Sequence, residues 1–187
     1  MNFLTKGKRG IIYKRGNTII KVKNPESKAK YRIQNEAKYL KLLNKYNIGP
    51  RFISYSKGRL KMEFVKGDFI IGYIKKNNKK DIIKILRDVL KQCFVMDKLR
   101  INKLEMHHPL KHIIVGKNPI LIDFERCYKT DNPKNATQFI QFIISKNLNE
   151  VLLKKKIKIN RKKMIGLAIR YKGKINEENF NNILHEI

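Results

Sequence analysis

The sequence predicts an α+β chain with a small antiparallel, β-rich first third and a helix-rich remainder. Three observations carry this expectation. Two apolar ribbons with tight-turn residues flank one helical stripe before residue 66. Long apolar runs spaced by three and four follow it, and a short β-like pair interrupts them between residues 112 and 124. The expected division is residues 1–66 as a β-rich lobe and 67–187 as a helical lobe, together one domain.

Taken in order, Ile11-Ile12-Tyr13 and residues 18–22 form a hairpin about Arg15-Gly16-Asn17, and Asn24-Pro25 ends it. Ile33, Ala37, Leu40 and either Leu42 or Leu43 then recur on one side, which predicts a helix over 28–46 that stops at Asn47-Ile48-Gly49-Pro50. Phe52-Ile53-Ser54-Tyr55 and residues 60–65 flank Lys57-Gly58 as a second hairpin. Beyond Lys66-Gly67 the pattern predicts helices over 68–77 and from Asp81 to about Leu99, with Ile82, Ile85, Leu86, Val89, Leu90 and Cys93 on one face. His112-Ile113-Ile114-Val115 and residues 119–124 read as short strands about Gly116-Lys117-Asn118. Asn135 and Gln138 predict a capping box for a helix containing Phe139, Phe142 and Ile143.

Charge is the dominant compositional fact: 44 Lys and Arg against 15 Asp and Glu leave +29. Such an excess attracts polyanions at long range, whether nucleotide, RNA or acidic protein, although a basic surface is also an ordinary solvated face. The densest run, Lys154-Lys155-Lys156-Ile157-Lys158 through Arg161-Lys162-Lys163, is a docking candidate. Met1 to Leu4 leads straight into Lys6-Gly7-Lys8-Arg9 and no apolar run reaches membrane length, so the expectation is a cytoplasmic protein without a membrane partner. Cys93 and Cys127 lack metal-type spacing, which argues against zinc and for reduced thiols.

Four segments can carry chemistry. Gly7 and Gly10 bound a turn with three basic neighbours, either a phosphate-binding loop or a plain basic turn. Strand alternation puts Ile20 and Val22 on one face and Lys21 with Ile19 on the other, so the Lys21 ammonium is expected to emerge from an apolar cleft and not from the packed face; the alternative is a surface lysine. Glu36 lies in the buried helix stripe with Ile33 and Leu40 at i−3 and i+4, where an unpaired carboxylate is costly and Lys21 would compensate it. Asp123 closes the apolar strand Pro119-Ile120-Leu121-Ile122, a place for a carboxylate that holds a cation or caps a turn.

In this order the segments resemble the protein-kinase fold over residues 4 to about 145, and in particular small archaeal predicted serine/threonine kinases allied to the RIO group and to the kinase of the tRNA-modification complex. The resemblance implies a bilobal protein-kinase-like fold with an antiparallel β N-lobe and a reduced helical C-lobe. Ile19-Ile20-Lys21-Val22 looks like the strand whose lysine reaches nucleotide phosphates, with Glu36 as its partner. Met62-Glu63-Phe64-Val65 resembles the hinge, which would set the Glu63 carbonyl and Val65 amide against adenine. Ile122-Asp123-Phe124-Glu125 is similar to the DFG segment, making Asp123 the metal-holding carboxylate.

The segment from Lys103 to His112 departs from the catalytic-loop pattern: Glu105 takes the acid's place and His112 the asparagine's, with two extra residues between them. A histidine ligand would favour Mn²⁺ over Mg²⁺. His107 and His108 read as solvated loop. The implied function is ATP-dependent transfer to a Ser or Thr hydroxyl, with Glu105, Lys21 and Asp123 as catalytic groups, His112 as a second metal donor, and ATP with Mg²⁺ or Mn²⁺ as cofactors. The alternative is a nucleotide-binding pseudokinase that docks RNA or a ribonucleoprotein through its basic surface.

Overall fold

A computed structural model describes residues 2–187, and Met1, the first residue of the segment read above for a leader pattern, lies outside it. The fold is α+β, with a five-stranded antiparallel sheet and, among the described residues, seven α-helices. The chain gathers into two compact units. One holds the chain up to Lys66 together with Ile120–Cys127, and the other holds Gly67–Pro119 together with Tyr128–Ile187.

The first unit contains β1 (Asn2–Lys6), β2 (Gly10–Arg15), β3 (Thr18–Lys23), α1 (Arg32–Leu43), β4 (Phe52–Ser56) and β5 (Arg59–Glu63). The strands lie in the order β1-β2-β3-β5-β4, every neighbouring pair antiparallel. Both expected hairpins form, and Lys57 and Gly58 turn the second with positive φ at both positions, as a two-residue hairpin loop requires. Strand β1 was not foreseen, because its five side chains are all exposed and no apolar alternation marks it. Helix α1 is shorter than residues 28–46: Tyr31 takes a left-handed backbone (φ 59°) just before it, and Asn44–Tyr46 tightens into a 3₁₀ turn. Asn44 fixes that exit, donating to the carbonyls of Ile48 and Pro50 at 3.0 Å each and accepting from the Phe52 amide at 2.6 Å.

The expected boundary left residues 120–127 with the helical half, and the structure assigns them to the first unit. Phe124 is buried, and its ring and Leu40 both crowd the space over Gly49, where a Cβ would lie 2.8 Å from Phe124 Cε2 and 2.7 Å from Leu40 Cδ1. Asn35 on α1 then donates to the carbonyls of Glu125 at 3.0 Å and Cys127 at 2.9 Å. An apolar anchor and two main-chain clamps therefore fasten the segment to α1.

In the second unit, β6 (Asp68–Phe69) and α2 (Ile70–Lys76) occupy the region expected as one helix from 68, since Asp68 and Phe69 pair with Val115 and Ile114 instead. Helix α3 (Lys79–Lys98) starts before Asp81 because Asn78 caps it: the Asp81 amide donates to Asn78 Oδ1 at 3.0 Å, and Asn78 Nδ2 donates back to Asp81 Oδ2 at 2.7 Å. There follow along the chain β7 (Ile101–Asn102), β8 (Ile113–Val115), β9 (Pro119–Leu121, of which Ile120 and Leu121 belong to the first unit), β10 (Tyr128–Lys129), α4 (Asn135–Ile143), α5 (Lys146–Lys154), α6 (Arg161–Gly173) and α7 (Glu177–His185). Phe94 stacks on Phe180 with centroids 4.2 Å apart and Tyr171 tilted beside both, joining α3, α6 and α7.

The expected Asn135–Gln138 capping box does not form. Asn135 is buried as the first residue of α4, and Asp97 near the end of α3 does the capping: it accepts from the Asn135 amide at 3.0 Å, Asn135 Nδ2 at 2.7 Å and the Ala136 amide at 3.1 Å. Between α5 and α6 the turn at Lys156 (φ 58°) buries Ile157 and leaves Lys154, Lys156, Lys158 and residues 161–163 exposed. Among the described residues no helix is long and apolar enough to cross a membrane.

Candidate functional site

Lys21 stands on β3 beside Ile19 on the more buried face, whereas the packed face was expected to be that of Ile20 and Val22. A lysine can sit there because acids meet it. Its Nζ lies 2.6 Å from Glu36 Oε2, 2.8 Å from Asp123 Oδ1 and 3.8 Å from Glu125 Oε2. Lys21 is 6% exposed and Glu36 1%. Glu36 faces the sheet from α1 through the stripe that also buries Ile33 and Leu40, as the helical spacing indicated. Burial alone would lower the Lys21 pKa, but Glu36 and then Asp123 outweigh it and hold the ammonium charged above its ordinary range. Burial pushes the Glu36 carboxyl up against the opposing pull of Lys21.

Asp123 takes a left-handed backbone, φ 65°, unusual for a residue with a Cβ and typical of positions whose side-chain direction is over-determined by their surroundings. The packing of Phe124 beside Leu40 and the bond from Asn35 to the Glu125 carbonyl supply that constraint. Its carboxylate is 32% exposed, so one group of the cluster is open to solvent while its neighbours are buried.

The turn between β1 and β2 lies against this cluster. The Gly7 amide donates to the Gly10 carbonyl at 2.8 Å, and buried Asn24 ties the turn down through Nδ2 to the Gly7 carbonyl at 3.1 Å and its own amide to the Arg9 carbonyl at 3.0 Å. Gly10 lies over the lysine: a Cβ there would sit 3.1 Å from Lys21 Cε and 3.2 Å from the Val22 carbonyl oxygen, whereas one at Gly7 would meet only the Gly10 carbonyl oxygen at 3.5 Å. Gly10→Ala is therefore expected to displace the Lys21 side chain and weaken Mg–ATP binding roughly several-fold, with Gly7→Ala close to wild type. Calorimetric titration of both variants checks this, and equal affinities would refute the spatial role given to Gly10.

Sequence reasoning missed two members of the site, Arg9 and Glu125. Glu125 is 4% exposed and accepts from Arg9 Nη1 at 2.9 Å. Its signal was its place two residues beyond Asp123; Arg9 was hidden in a run of basic residues. Glu36, Asp123 and Glu125 each offer an oxygen within 4.8 Å of the others. Lys21 and Arg9 bring two cations to these carboxylates, and the buried Glu36 Oε1 has no hydrogen-bond donor among the described residues. An all-oxygen donor set whose exposed member is Asp123 fits a hard divalent cation such as Mg²⁺ or Mn²⁺.

The other expected residues are placed as follows. Glu63 ends β5 opposite Thr18, and Val65 lies beyond the strand, two residues short of the extent the apolar pattern suggested; the Phe64 amide instead closes on the Asn17 carbonyl at 2.8 Å. Glu105 sits in the second unit in the 3₁₀ turn Leu104–His107, its Oε2 3.3 Å from the fully buried Lys103 Nζ. The Lys103 amide donates to Asn135 Oδ1 at 2.8 Å, which fixes the root of this loop. His112 precedes β8 with its amide bonded to the Pro109 carbonyl at 2.9 Å, while His107 and His108 are exposed.

The fold and site together define a two-unit α+β protein with a buried Lys–Glu–Asp cluster in its first unit. The chain is similar to the Methanocaldococcus jannaschii protein named "Uncharacterized protein MJ1211", 28% identical over 96 residues that span 49% of this chain and 83% of that protein. No family model matches the chain.

Proposed function

We propose that this chain is an ATP-dependent phosphotransferase of reduced, atypical protein-kinase-like type, acting on Ser or Thr hydroxyls. The observation that carries the reading is the buried Lys21 shared between Glu36 at 2.6 Å and Asp123 at 2.8 Å. A purely structural ion pair needs one acid for one base. Here a second, partly exposed acid on a strained backbone shares the lysine, as a site that receives phosphate and metal requires.

In this mechanism Lys21, oriented by Glu36, would bind a phosphate oxygen, and Asp123 would hold the metal, with His112 as the further donor that the resemblance implies. A Mg²⁺ or Mn²⁺ held there would neutralise phosphate charge. Glu105, beside buried Lys103, orients the acceptor hydroxyl and takes its proton. The Glu63 carbonyl and the Val65 amide serve the adenine edge.

The test is transfer of the γ-phosphate with Mg²⁺ and with Mn²⁺, wild type against Asp123→Ala. Loss of at least about a hundredfold in turnover is expected, because removing an interaction made at the reacting phosphate acts on the barrier directly. Equal turnover in the two proteins would sink the proposal. The exposed cations of residues 154–163 favour a second reading, a nucleotide-binding pseudokinase that docks RNA or a ribonucleoprotein. It corresponds to one outcome of the same experiment, in which ATP stabilises the wild type but no phosphate is transferred.

A further inference from the structure

We propose that Arg9, held in position by Glu125, receives the terminal phosphates of the nucleotide, and that Glu125 is its positioning residue. The inference rests on the nucleotide-binding reading above and specifies which part of the ligand the turn recognises. A glycine-rich turn normally offers backbone N–H groups to phosphate. This turn uses its Gly7 amide internally, and Asn24 holds its Gly7 and Arg9 carbonyls. The turn is thereby rigid, and what it presents beside the carboxylate cluster is a side chain.

Arg9 and Glu125 are unequal partners, and the asymmetry identifies the ligand-facing end. The Glu125 side chain is 5% exposed and that of Arg9 is 40%. A carboxylate so deeply placed needs a cation at hydrogen-bond length. Lys21 does not supply it: it stands 3.8 Å from Glu125 Oε2 and is already engaged by Glu36 and Asp123 at 2.6 and 2.8 Å. Arg9 Nη1, at 2.9 Å from Oε1, does. The guanidinium has further N–H donors in a planar fork, and its open part faces solvent with its orientation already fixed. Such a fork matches two phosphate oxygens at once, and pre-orientation by Glu125 removes much of the entropic cost of using it.

The experiment is calorimetric titration of wild type, Arg9→Ala, Arg9→Lys, Glu125→Gln and the Arg9→Ala/Glu125→Gln double variant with Mg–ATP, Mg–ADP and AMP. A charge-assisted contact of this kind predicts a loss of about tenfold or more in Mg–ATP affinity for Arg9→Ala, with AMP affinity unchanged. Arg9→Lys, which keeps the charge without the fork, is expected to recover part of the loss. Glu125→Gln should weaken Mg–ATP in the same direction, and the double variant should lose no more than Arg9→Ala alone. Arg9→Ala binding Mg–ATP as wild type does, or losing AMP and ATP equally, overturns the proposal while leaving the nucleotide reading intact. A wild type that binds none of the three overturns the nucleotide reading and this inference with it.

Discussion

Lys21→Met is expected to destabilise the first unit by about 3–5 kcal/mol, the cost of stripping the counter-ion from a buried pair, and to remove Mg–ATP binding. The cost is set by Glu36, which is 1% exposed and whose Oε1 already has no hydrogen-bond donor among the described residues. Without the ammonium at 2.6 Å, its charge is left beside Asp123 and Glu125, both of the same sign. Amide hydrogen exchange on β3 and α1 reads the loss locally, so that the second unit serves as an internal reference. The double variant Lys21→Met/Glu36→Leu should recover most of the stability and none of the nucleotide binding, since an apolar pair of similar volume replaces a buried ion pair at little cost. A double variant as unstable as the single would show that the loss comes from packing and not from charge. The pH dependence has a definite sign. Because the folded pKa of Lys21 is raised above its ordinary value of 10.5, its contribution is complete below that value and disappears only as pH rises through the higher folded one. Lys21 itself therefore adds no pH dependence across the neutral range, but without its pull the Glu36 carboxyl rises further, so the gap between wild type and Lys21→Met should widen as pH rises.

The parts of this molecule that were legible in its sequence are those governed by period and turn chemistry. The hairpins about Gly16-Asn17 and Lys57-Gly58, the stripe through Ile33, Glu36 and Leu40, and the apolar face of α3 all follow from spacing that one chain segment carries by itself. The pairing of Lys21 with Glu36 was also accessible, because a carboxylate inside an apolar stripe demands a cation and a nearby strand offered one. The same reasoning failed on which face of β3 is buried, since alternation cannot tell a packed isoleucine face from one that packs a lysine against acids. Strand β1 gave no signal because it is an exposed edge held by main-chain pairing to β2. Glu125 with Arg9, and Asp97 with Asn135, bring together residues 116 and 38 positions apart, and no local pattern encodes such meetings.

Asp97 is where that blindness matters most, and Asp97→Ala is expected to destabilise the second unit by about 3–5 kcal/mol. Its carboxylate accepts from the Asn135 amide, Asn135 Nδ2, the Ala136 amide and the Tyr171 hydroxyl, all at 2.7–3.1 Å, and truncation leaves each of these donors buried without that acceptor. Tyr171→Phe removes one donor together with its bond and should cost only about 1 kcal/mol. Urea denaturation of the three proteins orders them, and similar losses for the two variants would count against the hub. Burial raises Asp97 above its ordinary 3.8, the bonded donors opposing it, so the native state holds the proton more tightly than the unfolded chain. The advantage of wild type over Asp97→Asn, which cannot titrate, should therefore be larger near about pH 3 than at pH 7, falling as pH rises through the folded value. Asn135 accepts the Lys103 amide at 2.8 Å and donates to the Ile101 carbonyl at 2.6 Å, so the hub also fixes the root of the loop that carries Glu105. Lys21, Glu36 and Asp123 belong to the first unit. Under the proposed mechanism Asp97→Asn should lower phosphate transfer while Mg–ATP affinity stays near wild type, a separation that a purely structural weakening of the whole chain would not produce.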